Sequence, residues 1–179
     1  MCKKFIAVYA IFVLTACDSV YYRQIIEVEA PEEVRVRVID YAREYIALNA
    51  EYEFGGQDPL PRTITVDCSG LVIRCYQYAC EDYGYQLLFY DTTSYGLLEY
   101  VVPIEQAVLT PGDLIFMGDD GVVSHVALFV SSDGADIAFI DSTYKPEENI
   151  NGVSERSYAK DDPRFISYGR MLIGQYLTK

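Results

Sequence analysis

Two hydrophobic periods divide this chain near Pro111, and a chain that changes period once has few ways to fold. Before that point the apolar positions recur at helical spacing. Residues 32–48 (EEVRVRVIDYAREYIAL) place Val34, Val38, Ala42, Tyr45 and Ile46 on one stripe. Pro31 suits the first turn, and Glu32 and Glu33 complement the helix dipole. A turn is predicted at Gly55-Gly56 and a second helix from Asp67 to Ala79, with Asp67 as its N-cap. Leu71, Val72, Cys75 and Ala79 then share the face of Cys68. A shorter helix is expected over residues 92–100. Beyond Pro111 the runs at 113–117, 123–130, 137–140 and 165–177 read as strands, with turns at 118–121, 131–134 and 146–152. Helices first and strands after imply an α+β fold, with the strands in one antiparallel sheet.

The N-terminus reads as an address. Lys3 and Lys4 precede an unbroken apolar run over residues 5–16. As a helix that run would rise about 18 Å, short of the ~30 Å hydrocarbon core, so the layout matches a secretory signal peptide. Its end, Leu14-Thr15-Ala16-Cys17, resembles the lipobox of bacterial lipoproteins. That resemblance implies lipidation of Cys17, which becomes the first residue of the mature chain. A diacylglycerol plus an amide-linked acyl chain exceeds the two signals that stable anchoring needs. The expected organisation is a signal peptide over 1–16, lipidated Cys17 with a tether through residue 31, and a folded domain over 32–179. The protein is expected to be exported and held on a bacterial cell membrane. Tyr21, Tyr22, Ile25 and Ile26 could pack on the domain.

Composition excludes several classes. With 51% hydrophobic and 23% charged residues in 179, the chain suits one folded domain. Its net charge of −13 becomes −15 once Lys3 and Lys4 leave with the signal, and such a surface repels nucleic acid. No metal-ligand cluster and no phosphate loop stands in the sequence, so no metal or cofactor is expected. Of the five cysteines, Cys2 departs with the signal and Cys17 is taken by lipid. Cys68, Cys75 and Cys80 fall on one helix, where Cys68 and Cys75 are separated by about 10.5 Å along the axis, beyond disulfide reach.

Three residues carry chemistry together. A cysteine attacks as its thiolate, and the first turn of a helix, where Cys68 sits, stabilises that anion. Such a thiolate needs an imidazole, and His125 is the single histidine. In strand period it shares a face with Ala127 and Phe129, opposite Val126, Leu128 and Val130; either face could look onto the Cys68 helix. Asp141, at the end of the run 137–140, is placed to orient the imidazole. Taken singly, each residue has an ordinary structural reading, as a core thiol, a strand histidine and a turn aspartate.

The combination resembles a known pattern. Tyr52-Glu53-Phe54-Gly55-Gly56, Asp67-Cys68-Ser69-Gly70-Leu71-Val72, Pro111-Gly112-Asp113-Leu114-Ile115-Phe116 and Ser124-His125-Val126-Ala127-Leu128-Phe129 occur in the order found in NlpC-type cell-wall cysteine peptidases. The resemblance implies a compact papain-like domain, with the nucleophile at a helix start, that hydrolyses peptidoglycan stem peptides, often between D-glutamate and a diamino acid. It implies Cys68 as nucleophile and His125 as general base. Tyr52 would hold its hydroxyl near the thiolate and the oxyanion. Asp67 and Ser69 match positions that hold a free substrate amino group in some members. The chain departs from the pattern at Asp141, where the family more often carries His or Asn, and Asp136 is the alternative there. The partners implied are stem peptides and, through Cys17, the membrane, with the protein a monomer. Two other readings stay open: a thiol amidase or acyltransferase acting on another amide, and a catalytically silent wall-associated lipoprotein.

Overall fold

The computed structural model describes residues 24–58 and 64–177. The expected signal peptide over 1–16 and the expected lipidation position Cys17 lie outside these residues. In chain order the elements are β1 (Ile25–Glu29), α1 (Glu32–Ala47), β2 (Glu51–Tyr52), β3 (Thr65–Val66), α2 (Cys68–Tyr83), β4 (Tyr85–Leu87), β5 (Val101–Ile104), β6 (Leu114–Asp119), β7 (Val122–Ser132), β8 (Asp136–Lys145), β9 (Ile150–Ala159) and β10 (Phe165–Tyr176). The large sheet runs β1-β10-β6-β7-β8-β9, and β4 and β5 also pair with β10. Each of these pairings is antiparallel, so the α+β reading holds.

Both helices follow from local chemistry. Pro31 stands in extended conformation as the residue that opens α1, one position ahead of the first turn. Asp67 caps α2 by accepting from the Gly70 N–H at 2.6 Å. The second helix runs four residues past Ala79, because nothing breaks it before Gly84, whose φ of +74° supplies the left-handed cap. Leu71, Val72, Cys75, Tyr76 and Ala79 are fully buried on its inner face.

The sheet separates two apolar layers. Leu114, Phe116, Val126, Leu128 and Ile140 pack with α1 and α2 in the larger one. Their neighbours Ile115, Met117, Ala127, Phe129, Ile137 and Phe139 form a smaller cluster on the opposite face. This is the period-2 alternation expected of a sheet covered on both sides.

Three expectations need correction. Residues 25–29, assigned above to the tether, form strand β1 on β10, with Ile25 opposite Tyr176 and Glu29 opposite Leu172, so the sheet begins before residue 32. The helix expected over 92–100 is only a short 3-10 turn, Gly96–Tyr100, before Pro103 in β5. The turn placed at 146–152 ends early, because β9 starts at Ile150 and pairs with β8 along ten residues. That strand carries too many polar residues (INGVSERSYA) for its alternation to stand out.

A buried carboxylate ties α1 to the sheet. Asp113, with no solvent exposure, receives Arg35 Nη1 at 3.2 Å, Arg170 Nε at 2.9 Å and the Thr110 N–H at 2.8 Å. Gly112 beside it has φ +87°, and a side chain there would run into the Arg35 backbone, which explains the glycine of the Pro-Gly-Asp turn. Replacing Asp113 with alanine would leave Arg35 buried without its counter-charge. The expected loss is about 3–5 kcal/mol, read from urea unfolding of the purified protein.

Candidate active site

Cys68 is the first residue of α2, and two short strands bring a tyrosine to it. β2 and β3 pair in parallel, with Tyr52 opposite Val66, two residues before Cys68. Gly70 is required by the same junction, since a Cβ there would collide with the Gly56 carbonyl. Asp67 holds the junction closed: Oδ1 accepts from the Gly70 N–H and from Ser69 Oγ at 2.9 Å, and Oδ2 from the Gly55 N–H at 2.9 Å. Asp67 takes the Gly70 N–H, while helix geometry leaves those of Cys68 and Ser69 without an intrahelical acceptor.

His125 arrives from β7 by way of a bulge. Met117 of β6 is opposite His125, but its neighbour Gly118 is opposite Val123, so Ser124 is an extra residue in the ladder. Val123 and Val126 consequently both pack in the helix-side layer, although simple alternation would set them apart. Alternation from Ala127 and Phe129 sends His125 to the face away from α2. Beside the bulge His125 keeps that face, with its ladder partner Met117 and with Asp141, and it reaches the cleft that Cys68 lines. His125 keeps 22% of its side chain exposed.

The other side of the ring meets Asp141. His125 Nε2 lies 2.6 Å from Asp141 Oδ2, which leaves Nδ1 for the thiol. Asp141 is fully buried in β8 and accepts from a residue that the sequence reading missed. Arg156 of β9 donates from Nε to Asp141 Oδ1 at 3.1 Å and from Nη2 to Oδ2. No local pattern announces Arg156, because only the β8–β9 register, with Phe139 opposite Arg156 and Asp141 opposite Ser154, brings it there. Asp136, the alternative to Asp141, is exposed at the start of β8, and its N–H and carbonyl serve the tight turn with Asp133 and Ser132.

The electrostatics follow from these contacts. Burial opposes the charge on His125, but its hydrogen bonds to Asp141 and Cys68 outweigh that and raise the imidazole from 6.5 to about 9. Burial likewise works against the Asp141 anion, yet His125 and Arg156 hold it below the ordinary carboxylate range. The Tyr52 phenol is pushed up, by burial first and then by its neighbours Cys68 and Asp67, so it stays a hydrogen-bond donor.

These groups stand in a cleft of about 560 Å³, which Tyr52, Asp67, Cys68, Ser69 and His125 all line. Its walls add exposed Phe54 and Tyr144, and also Asp91. The structure thus brings together Cys68, His125, Asp141, Tyr52, Asp67 and Ser69. Among the described residues no cluster of His, Cys, Asp and Glu is arranged to hold a metal ion. An imidazolium beside a cysteine, oriented by a buried carboxylate and facing free N–H groups, is suited to acyl transfer through sulfur.

Comparison with known proteins agrees in family and fold. The NlpC/P60 family matches over residues 49–164. No curated protein matches the chain significantly. The NlpC/p60 domain of the peptidoglycan hydrolase SagA superposes with a TM-score of 0.51 at 20% identity, covering 76% of this chain and 98% of that one. An NlpC/P60 family protein from Bacillus cereus ATCC 10987 gives a TM-score of 0.54 at 18% identity, covering 80% of this chain but 41% of its own.

The three cysteines of α2 should separate cleanly in reactivity. Cys75 is fully buried with its thiol pushed well up, and burial raises Cys80 to about 12. Iodoacetamide at pH 7 followed by peptide mapping is expected to label Cys68 at least about tenfold faster than either. Equal labelling of all three would contradict the arrangement.

Proposed function

This chain belongs to the NlpC/P60 family, a family of cysteine peptidases, and from that premise we propose that it is a peptidoglycan endopeptidase cutting stem peptides, at the bond between D-glutamate and a diamino acid. The observation that carries the proposal is the unbroken contact chain from Cys68 through His125 to Asp141 along the cleft. The peptidoglycan hydrolase SagA, whose domain shares this fold, supports the choice of substrate.

The geometry supports the following course. Cys68 Sγ attacks the carbonyl carbon, and the carbonyl oxygen gathers negative charge facing the Cys68 and Ser69 N–H groups and the Tyr52 hydroxyl. His125, as imidazolium, gives its proton to the departing amine as the C–N bond breaks. The acyl group remains on Cys68 as a thioester. Neutral His125 then takes a proton from water, the resulting hydroxide adds to the thioester, and the C–S bond breaks to release the carboxylic acid. Asp141 keeps the ring turned so that one nitrogen faces sulfur throughout. Asp67 and Ser69 already bond each other, but Asp67 Oδ2 receives a single N–H and retains acceptor capacity for a substrate amino group. Lipidation at Cys17 would hold the enzyme to wall close to its membrane, in keeping with an exported protein.

Digestion of purified sacculi, read by mass spectrometry, tests the substrate and the nucleophile at once. New fragments ending in D-glutamate are expected with the protein and absent with Cys68→Ala, whose circular dichroism should match the parent. Intact stem peptides, or equal cleavage by the variant, would overturn the proposal. The pH dependence of turnover has a definite sign as well. Below about 9 His125 carries the proton that the leaving amine needs, and above it that proton is lost, so kcat should fall as pH rises through that value. A kcat that is flat from pH 8 to 10 would remove His125 from the acid role.

A further inference from the structure

The relay has a fourth member. We propose that Arg156 is a positioning residue that clamps Asp141 in register with His125 and balances its charge while the imidazole is neutral. This rests on the catalytic reading of the same site.

The clamp is two-pronged and itself wedged. Nε and Nη2 grip the two oxygens of one carboxylate, a fork geometry that fixes the plane of Asp141 as well as its distance. The third nitrogen, Nη1, donates to Tyr158 Oη at 2.6 Å. The guanidinium carbon stands 5.3 Å from the ring centres of both Phe139 and Tyr158, so aromatic packing limits its tilt. Tyr158 is in turn held by Lys145 Nζ at 2.9 Å and by Arg164 stacked 3.8 Å over its ring. Only 10% of the Arg156 side chain and none of Asp141 meets solvent.

The need for this residue follows from the cycle. His125 must pass through a neutral state between protonating the amine and activating water. In that state Asp141 loses the charge of its other side-chain partner among the described residues, and a lone buried carboxylate is costly. Arg156 keeps it compensated. The same positive charge makes the imidazolium a better acid, because Asp141 does not bind the proton with its full charge. The remaining groups around the pair are otherwise engaged or remote from the carboxylate. Lys145 pairs with Glu148 at 3.3 Å and Arg164 with Asp162 at 2.7 Å, while Asp119 lines only the small pocket behind His125. Glu148 comes no nearer than 4.0 Å to Arg156. On the thiol side Cys68 meets the imidazole, and Tyr52 and Asp67 line the cleft beside it.

The test is the pH dependence of Cys68 alkylation by iodoacetamide, measured on the full chain with folding checked by circular dichroism. It needs no wall substrate, so a failure of sacculus cleavage leaves it readable. In Arg156→Gln the alkaline inflection, which marks loss of the His125 proton, is expected to move up by roughly half to one pH unit. Arg156→Lys keeps the charge and loses the fork. It should return the inflection to its parent position while the plateau rate below it stays about threefold low. On a substrate that the protein cuts, both variants should lower kcat and leave KM in place. A folded Arg156→Gln with the parent inflection overturns the proposal, whatever its activity. Where Arg156→Gln does not fold, Arg156→Lys decides alone, and a parent plateau rate overturns it.

Discussion

A carboxylate with no solvent contact survives as an anion only where positive charge and hydrogen bonds replace the water it gives up. Asp141 is such a group, and much of the functional half of the molecule is arranged around its needs. β8 buries it, β7 supplies His125 on one oxygen, and β9 supplies Arg156 across both. Because these strands are adjacent in the sheet, the spacing of the site is set by backbone ladders and not by loops. The site therefore inherits the rigidity of the sheet, which is what proton transfer over hydrogen-bond distances requires.

The nucleophile is prepared by different means. Its position depends on one helix start, and Asp67 serves that start in three ways: it caps α2, receives Ser69 and pins Gly55 of the preceding turn. The close packing of Gly70 on the Gly56 carbonyl draws the turn over the helix end, so Tyr52 and Cys68 line one wall of the cleft. Two separate pieces, a helix terminus and a three-strand relay, meet only at the Cys68–His125 contact. The bulge at Ser124 stands beside that contact, and Ser124 and His125 both line the cleft.

The larger scaffold repeats the principle used at Asp141. Asp113 opens β6 and is gripped by Arg35 from α1 and Arg170 from β10. A buried carboxylate held by two arginines from distant parts of the chain ties α1 to the sheet, just as Asp141 joins β7, β8 and β9 around the histidine. In a protein with a net charge of −13, these buried pairs are where several of its few cations are spent.

Local signals determined the parts that neighbouring residues decide among themselves. The span of α1, the start of α2 at Asp67-Cys68, the burial of Leu71, Val72, Cys75 and Ala79, and the main strands after Pro111 all rest on capping, dipole and periodicity, which act within a few residues. Cys68 and His125 could be singled out as chemistry for the same reason, and because the chain has one imidazole. Strand β1, strand β9 and the extra residue at Ser124 were decided by the tertiary structure alone. Each depends on a partner strand that sequence spacing does not name: β1 needs β10, β9 needs β8, and the bulge exists only as a mismatch between β6 and β7. Arg156 is the sharpest case. Its side chain gains a role only from the ladder that sets it against Asp141, and pairing between strands is a non-local choice that no run of residues encodes by itself.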